Sequence, residues 1–266
     1  MTWIINTSYA ASPAAQSFSS LEQARASASG GEYFSRSNRA SCRRVSVEGQ
    51  GFYIKIYDFS ARGLRVWLGR SKARTEWENL ALFRSLGIPT PDVVACGETR
   101  KHGRVQSGAL VTAEIPSAVD LRTLALRRDE RLADAAWRRS VLRQVADYVR
   151  RLHRAGFIHN DLNWRNILVK LEGAPEVYFI DCPSGHWCPR PLRERRMAKD
   201  LAFLDKLGRQ YLSRTDRLRF FLHYRETGCL SPEDKRRIGR ILGYLRERFG
   251  DKYDRRPRID REEAET

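Results

Sequence analysis

Paired cysteines and long apolar runs are both missing from this 266-residue chain. It has five cysteines, and none of them belongs to a Cys-x-x-Cys pair. Such an odd, scattered set argues against a disulfide framework and suits a reducing compartment. No stretch approaches the about 20 apolar residues that a membrane-spanning helix needs, and the N-terminus lacks the pattern of a signal peptide. The chain is therefore expected to be cytoplasmic.

Basic residues are in clear excess. The chain has 49 Lys and Arg against 32 Asp and Glu, which gives a formal net charge of +17. This surplus favours an anionic partner, such as nucleic acid, an acidic membrane surface or a phosphorylated substrate. Charge alone does not choose among them. The length suffices for one two-lobed domain or two small domains.

The first half of the chain is predicted to be mostly antiparallel sheet with one inserted helix. Residues 1–30, rich in Ser and Ala, read as a loose leader with one short helix. Alternating apolar and polar residues predict three short strands between residues 33 and 58, and two more strands follow later. In the strand FYIKIY, Lys55 points away from the face that carries Ile54 and Ile56.

A helix is predicted over SKARTEWENLALFRS, and Gly87 with the prolines after it ends this helix. Glu76 shares a helical face with Leu80, so it should face the sheet and is the preferred partner of Lys55. Glu78 points more outward and is the alternative partner.

The second half is predicted to be helical around one hairpin. The hairpin joins strands at 167–169 and 177–180, and three more helices follow it. This layout, a small sheet lobe with one helix and then a mainly helical lobe, is typical of an α+β, two-lobed protein-kinase-like fold. The predicted organisation is a leader at 1–30, an N-lobe at 31–116, a helical C-lobe at 117–250 and a frayed tail at 251–266.

The segment HNDLNWRNILV, residues 159–169, has the spacing H-x-D-x-x-x-x-N of a phosphoryl-transfer loop. In such a loop the aspartate, here Asp161, accepts the proton of the acceptor hydroxyl, and the asparagine, here Asn166, ligates Mg²⁺. The alternative is a turn in which both side chains satisfy backbone groups. His159, Leu162 and the apolar strand that follows favour the catalytic interpretation.

Three more residues match a nucleotide and metal site. Asp181 ends the next strand, where a second Mg²⁺ ligand is needed. Lys55 lies on the strand whose lysine pairs with the α- and β-phosphates of ATP, and Glu76 would hold it. Each match has an ordinary structural alternative when it is taken singly: a surface lysine on a strand, or an aspartate that caps a turn.

Two further nucleotide contacts are less well marked. The glycine-rich loop G-x-G-x-x-G is absent, and SRSNRAS stands in its place, so backbone N–H groups, serines or Arg36 and Arg39 are the candidate phosphate contacts. The segment LVTAEIP should supply backbone contacts to adenine. Because Pro116 has no N–H to donate, Glu114 and Ile115 are the preferred contacts.

Together these segments resemble the bacterial lipopolysaccharide core kinases, the Kdo/WaaP family. The resemblance spans roughly residues 33–245 and rests on GFYIKIY, RTEWENLALFRSLGIPTP, HNDLNWRNILV, FIDCPSG and KDLAFLDKLGRQYLSRTDRLRFFLHY. The chain departs from the usual pattern at Asn160, within the catalytic loop, and at Cys182–Ser184, directly after Asp181. These departures bear on the acceptor more than on phosphoryl transfer.

The resemblance implies ATP- and Mg²⁺-dependent phosphorylation of a heptose or Kdo sugar of the lipopolysaccharide inner core. Its acceptor would be nascent core on lipid A, at the cytoplasmic face of the inner membrane. Peripheral contact with the anionic membrane surface is expected, because each well-placed Lys or Arg adds about 1 kcal/mol of attraction. The basic segments 150–154 and 190–199 are the candidates for this contact, and a solvated helix face is the alternative.

Other functional classes fit less well. A small-molecule phosphotransferase of aminoglycoside or choline-kinase type shares the catalytic loop but needs an acidic pocket for a cationic acceptor, and the charge of +17 opposes this. The missing glycine loop disfavours a protein-serine kinase. A basic pseudokinase stays open because of the altered metal loop. A nucleic-acid-binding protein would leave the aligned polar residues unexplained.

Overall fold

The computed structural model describes residues 3–37, 40–58 and 70–250. Arg39, the side chain of Arg36 and the predicted tail lie outside this description. The chain divides into two compact units. Unit 1 comprises Met1–Ser85, Thr90–Pro116 and Asp181–Ser184, and unit 2 comprises Leu86–Pro89, Ser117–Ile180 and Gly185–Thr266.

Unit 1 contains a six-stranded sheet. Its strands are β1 (Ile4–Ile5), β2 (Glu32–Ser37), β3 (Ala40–Val47), β4 (Gln50–Asp58), β5 (Val93–Lys101) and β6 (Arg104–Ala113). They lie in the order β1-β5-β6-β4-β3-β2, and every neighbouring pair is antiparallel. The strands predicted from alternation are confirmed, because an antiparallel sheet with two different faces imposes a period of two.

The N-terminal segment packs on one face of this sheet. Helices α1 (Pro13–Ser17) and α2 (Leu21–Ser29) share a buried apolar cluster with the isoleucines of β4. Phe18 is fully buried, and its ring lies 5.2 Å from that of Phe52 in an edge-on contact. The prediction of a loose leader is therefore wrong for the described residues. The small alanines that suggested a loose segment are what let α2 approach the strands closely.

The opposite face of the sheet receives α3 (Lys72–Ser85), which packs against β4, β5 and β6. Glu76, Asn79, Leu80 and Phe83 are buried on α3 at helical spacing. The alternation of β4 places Lys55 on this side of the sheet, while Ile54 lies in the cluster with α2. The helix predicted before Gly87 is confirmed.

Unit 2 is built mainly from helices. They are α4 (Leu121–Leu126), α5 (Ala135–Ala155), α6 (Arg190–Tyr211), α7 (Arg214–Arg225) and α8 (Pro232–Phe249). Gly156 ends α5 in the left-handed conformation, with φ 84°. Ser231 and Asp234 form a reciprocal capping box at the start of α8. No helix in the described part of the chain is both long and apolar enough to span a bilayer.

Short strands in unit 2 surround the loop of residues 159–166. They are β7 (Ala118–Asp120), β8 (Phe157–Ile158), β9 (Ile167–Lys170), β10 (Glu176–Phe179) and β11 (His186–Trp187). β9 and β10 form the predicted antiparallel hairpin, and β7 pairs with the other edge of β9. β8 ends directly before His159, and β9 begins directly after Asn166, so a strand fixes each end of the loop.

Candidate active site

Two carboxylates meet one ammonium group in unit 1. The Nζ atom of Lys55 lies 3.3 Å from Oε1 of Glu76 and also forms a short ion pair with Oδ1 of Asp181. The three residues come from β4, α3 and the segment after β10. Glu78 does not take part, because it binds Arg70 and Arg74 instead. Three of the residues singled out in the sequence thus lie together.

Burial and charge act in opposite directions on this cluster. Burial alone would lower the pKa of Lys55, but the carboxylates of Glu76 and Asp181 outweigh it and raise that pKa. Burial raises the pKa of Glu76, and the charge of Lys55 partly offsets the increase. The hydroxyl of Tyr57 also donates a short hydrogen bond to Glu76. The ammonium of Lys55 therefore stays charged at neutral pH.

Asn79 fixes the backbone just beyond Asp181. Its side-chain amide donates a 2.7 Å hydrogen bond to the carbonyl of Cys182, which is fully buried. Asp181 itself has φ 56°, a left-handed conformation that few residues with a β-carbon adopt. α3 thus supports Asp181 through Asn79 and binds Lys55 through Glu76, one helical turn earlier.

The loop of unit 2 surrounds Asp161 with donors. The side-chain amide of Asn163 makes a short hydrogen bond to Oδ1 of Asp161, and Nη2 of Arg165 lies 3.1 Å from Oδ2. Nδ2 of Asn166 donates to the carbonyl oxygen of Asp161 at 2.8 Å and to its Oδ2 at 3.2 Å. The Asp161 side chain is 34% exposed, so its carboxylate can still meet a ligand.

Asp200 of α6 holds the start of the same loop. It is completely buried and accepts hydrogen bonds from the backbone N–H groups of His159 at 2.8 Å and of Asn160 at 2.9 Å. His153 lies 3.4 Å from Asp200 and also contacts the hydroxyl of Tyr224. A buried carboxylate with two backbone donors fixes the path of the chain two residues before Asp161.

The backbone N–H and the carboxylate of Glu114 both have partners within unit 1. Its backbone N–H donates to the carbonyl of Gly51 at 2.9 Å. Its carboxylate accepts two hydrogen bonds from Arg44, at 2.8 and 2.7 Å, and this pairing lowers the pKa of Glu114. The N–H of Glu114 is therefore occupied. Its carbonyl and the backbone of Ile115 are the groups left for an adenine ring.

Asp181 of unit 1 and Asn166 of unit 2 each carry an oxygen of the kind that Mg²⁺ takes together with nucleotide oxygens. Among the described residues no three His, Cys, Asp or Glu side chains cluster as a metal site. Mg²⁺ needs no such cluster, since it commonly takes one or two carboxylates with substrate phosphates and water. Asp181 offers a carboxylate that is 34% exposed. Asn166 donates through Nδ2, so its amide oxygen is the atom oriented as an acceptor.

Several residues of the site could not be selected from the sequence. Tyr57, Asn79 and Asp200 are distant in sequence from the groups that they bind. The only local signal was the place of Asn79 one turn after Glu76, on the same helical face. Arg165 and Asn163 lie inside the recognised loop, but the motif assigns them no role.

The sheet unit, the helical unit and the Lys55–Glu76–Asp181 cluster define a protein-kinase-like protein. More closely, the chain belongs to the lipopolysaccharide kinase (Kdo/WaaP) family, whose family model matches residues 31–224. The resemblance inferred from the motifs is confirmed.

Two curated relatives illustrate the breadth of the family. The chain is 30% identical over 124 residues to the lipopolysaccharide core heptose(I) kinase WaaP of Pseudomonas aeruginosa, and the match covers 44% of this chain and 46% of that protein. It is also 30% identical over 113 residues to the 3-deoxy-D-manno-octulosonic acid kinase of Actinobacillus succinogenes, covering 42% and 44%. Both matches thus span less than half of the relative.

A solved structure described as WaaP in complex with acyl carrier protein has a similar fold. The TM-score is 0.71 at 24% identity, and the match covers 96% of this chain and all of that one. At this level of identity the likeness establishes the fold. The predicted α+β, two-lobed protein-kinase-like architecture is confirmed.

Proposed function

We propose that this protein is an ATP- and Mg²⁺-dependent kinase that phosphorylates a heptose or Kdo sugar of the lipopolysaccharide inner core. Membership of the family supports the class of acceptor. The observation that carries the proposal is the convergence of Glu76 and Asp181 on the partly buried ammonium of Lys55. Family relatives named for either sugar match this chain at the same 30% identity, so both sugars are included.

On the donor side, Lys55 would bind phosphate oxygens of ATP, and Glu76 would keep its ammonium in place. The phosphates would replace Asp181 as a partner of Lys55 and free that carboxylate for Mg²⁺. Mg²⁺, held by Asp181 and Asn166, would neutralise the charge on the phosphates. The backbone of Glu114 and Ile115 would contact the adenine ring.

On the acceptor side, Asp161 would orient the sugar hydroxyl and take its proton. As the hydroxyl oxygen bonds to the γ-phosphorus, the bond from that phosphorus to ADP breaks, and the proton moves to the Asp161 carboxylate. Donors from Asn163, Arg165 and Asn166 hold that carboxylate in one orientation. Positioning of this kind is the main contribution of a protein to phosphoryl transfer.

The deciding experiment is mass spectrometry of purified inner-core oligosaccharide after incubation with the protein, ATP and Mg²⁺. A mass gain of one phosphate, placed by fragmentation on heptose or Kdo, is the expected result. Aminoglycosides and choline serve as competing acceptors in parallel reactions. Phosphate gain on one of those and none on the core would replace this proposal with the small-molecule phosphotransferase. No gain on any acceptor would favour the pseudokinase.

An apolar cavity in unit 2 favours a second partner, acyl carrier protein. The cavity has a volume of about 240 Å³ and is lined mostly by Leu, Ile and Phe side chains of unit 2, with Arg214 and Arg217 beside them. We propose that it receives the acyl chain of an acylated carrier protein, since the similar structure is a WaaP complex with that protein. Of the two arginines, Arg217 is paired with Asp205, so Arg214 is the one that would suit an acidic carrier.

Size-exclusion chromatography with acylated and unacylated carrier protein tests this partner. Leu218 lines the cavity and is 41% exposed, so Leu218→Arg should block entry. The wild type should form a complex with the acylated form alone, and the variant with neither. Equal binding of both forms, or an unaffected Leu218→Arg complex, would contradict the proposal.

A further inference from the structure

Trp187 is a large aromatic side chain on the surface of unit 2. It is 60% exposed, although tryptophan is among the most costly side chains to leave in water. Its position is fixed nonetheless. The backbone of Trp187 pairs with Phe157 between β11 and β8, and the two rings meet edge-on at 5.7 Å. The ring of Trp187 is therefore exposed and at the same time held in place by β8 and Phe157.

A second exposed apolar side chain follows closely. Leu192, in the first turn of α6, is 50% exposed. Leu192 lies five positions after Trp187. Since the chain spans at most about 3.6 Å per residue, the two α-carbons lie within roughly 18 Å of each other. The intervening chain is anchored, since Nε of Arg193 donates to the carbonyl of Cys188 and the N–H of Leu192 donates to Pro189.

Basic side chains accompany these two residues. Arg190, Arg195 and Arg196 are exposed, and in the described part of the chain none of them forms an ion pair. The one acidic residue of the turn, Glu194, is neutralised by Arg237 and Arg240 of α8. The segment therefore presents uncompensated positive charge beside exposed Trp and Leu.

This segment is tied to the loop of Asp161. β8, which holds Trp187, ends at Ile158 and leads directly into His159. α6, which carries the arginines, also carries Asp200, the buried carboxylate that binds the backbone of His159 and Asn160. All of these elements belong to unit 2. The elements that hold this segment therefore also hold the loop of Asp161. A partner that binds the segment would lie at a defined position relative to that loop.

We infer that residues 186–196 form a membrane-docking surface, in which Trp187 and Leu192 enter the interface of an anionic bilayer and Arg190, Arg195 and Arg196 bind lipid phosphates. Trp at an interface, with Leu inserted and Arg at the polar level, is the composition that such surfaces use. An anionic bilayer suits both the apolar and the basic groups, whereas RNA would leave Leu192 without a role. The inference rests on the proposed function, because a lipid-linked acceptor has to be reached at a bilayer.

Vesicle co-sedimentation with phosphatidylglycerol–phosphatidylcholine and with pure phosphatidylcholine vesicles tests the surface directly. The full-length wild type should bind the anionic vesicles. Trp187→Ser with Leu192→Ser should weaken this binding at least tenfold, and so should Arg190→Gln with Arg195→Gln and Arg196→Gln.

Matched controls separate a local surface from general charge. Ile4→Ser removes an apolar residue of similar exposure, 42%, from unit 1. Arg127→Gln with Arg128→Gln and Arg139→Gln removes the same charge from exposed positions elsewhere in unit 2. Both controls should bind vesicles as the wild type does. Equal losses in the controls, or wild-type binding by the docking variants, would overturn the inference. If the Arg190 triple variant lost binding to RNA but kept wild-type binding to vesicles, the surface would be assigned to nucleic acid instead.

A second assay keeps failure of the surface apart from failure of the kinase proposal. Each variant is given the acceptor both in anionic vesicles and as deacylated, water-soluble core. The docking variants should phosphorylate the soluble acceptor at the wild-type rate and the vesicle-bound acceptor at least tenfold more slowly. Equal rates on vesicles would overturn the docking surface, while an inactive wild type that still binds vesicles would overturn only the kinase function.

Discussion

At Lys55, two carboxylates share one ammonium group, so the cluster carries one negative charge that is not compensated. A further positive charge at this place would stabilise the cluster. Glu76 is 3% exposed, and this burial raises its pKa because it disfavours the charged carboxylate. Asp181 is more exposed and is free to exchange Lys55 for a cation. A bound nucleotide with Mg²⁺ would supply negative charge to Lys55 and positive charge to Asp181, so the cluster is suited to a ligand that carries both.

Asp161→Asn is expected to lower the rate of phosphoryl transfer by about 100- to 10,000-fold, the usual contribution of a general base. The amide keeps the size of the side chain but cannot take the sugar proton. Steady-state kinetics with saturating ATP measure the loss, and the thermal midpoint shows that the fold is kept. Asp129→Asn, which removes a surface ion pair with Arg131, is the matched control. An Asp161→Asn enzyme within fivefold of the wild type would exclude Asp161 as the base.

Asn79→Asp should weaken the support of Asp181 without changing the size of the side chain. Asp cannot donate to the buried carbonyl of Cys182, and the lost hydrogen bond should cost about 1–3 kcal/mol of unfolding free energy. The Mg²⁺ concentration for half-maximal activity should rise as well, which a purely structural role would not produce. Ser85→Ala at the exposed end of α3 is the control. An unchanged Mg²⁺ requirement would show that Asn79 does not position Asp181.

At the scale of elements, the patterns that the sequence predicted are those with a strict period. Lys55 was placed on the correct face because alternation in a strand is local information. Glu76 was preferred to Glu78 because a helix repeats every 3.6 residues. Asp200 was missed, since its hydrogen bonds to His159 join segments distant in the chain. Such contacts depend on tertiary packing, which no local pattern contains.

The cap of α8 provides a prediction about pH. Hydrogen bonds from Ser231 and Arg225 lower the pKa of Asp234 below its ordinary 3.8. A lowered pKa means that the contribution of Asp234 to stability is complete above pH 3.8 and is lost as the pH falls through the folded-state value. Asp234→Asn should therefore destabilise the protein at pH 7, by about 1–3 kcal/mol.

Urea titrations of the Asp234→Asn variant and the wild type between pH 2 and 7 measure this contribution. The difference in unfolding free energy should stay constant at neutral pH and shrink below pH 3.8. Ser231→Ala, expected to cost about 0.5–2 kcal/mol, tests the other half of the capping box. A difference that persists unchanged at pH 2 would show that the carboxylate charge of Asp234 is not its source.

At the scale of the whole molecule, the N-terminal residues belong to the structure that carries the candidate site. The family match begins at residue 31, whereas the core of unit 1 includes side chains from residues 14 to 28. The sequence did not reveal this, because segments rich in Ser and Ala lack a strong apolar pattern. Their helices cover the face of β4 opposite Lys55. Support for the strand of Lys55 therefore comes from residues that precede the range matched by the family model.

Phe18→Ala should consequently destabilise unit 1 and the nucleotide site together. Phe18 is fully buried against Phe52, and such a truncation costs about 3–5 kcal/mol. Urea unfolding measures the loss, and ATP-dependent stabilisation should disappear at the urea concentration where unit 1 unfolds. Ile4→Ala, at a 42% exposed position, should stay within about 0.5 kcal/mol of the wild type. If Phe18→Ala were as stable as this control, the packing of the N-terminal helices would not contribute to the fold, and β4 would have to be held by α3 and its neighbouring strands alone.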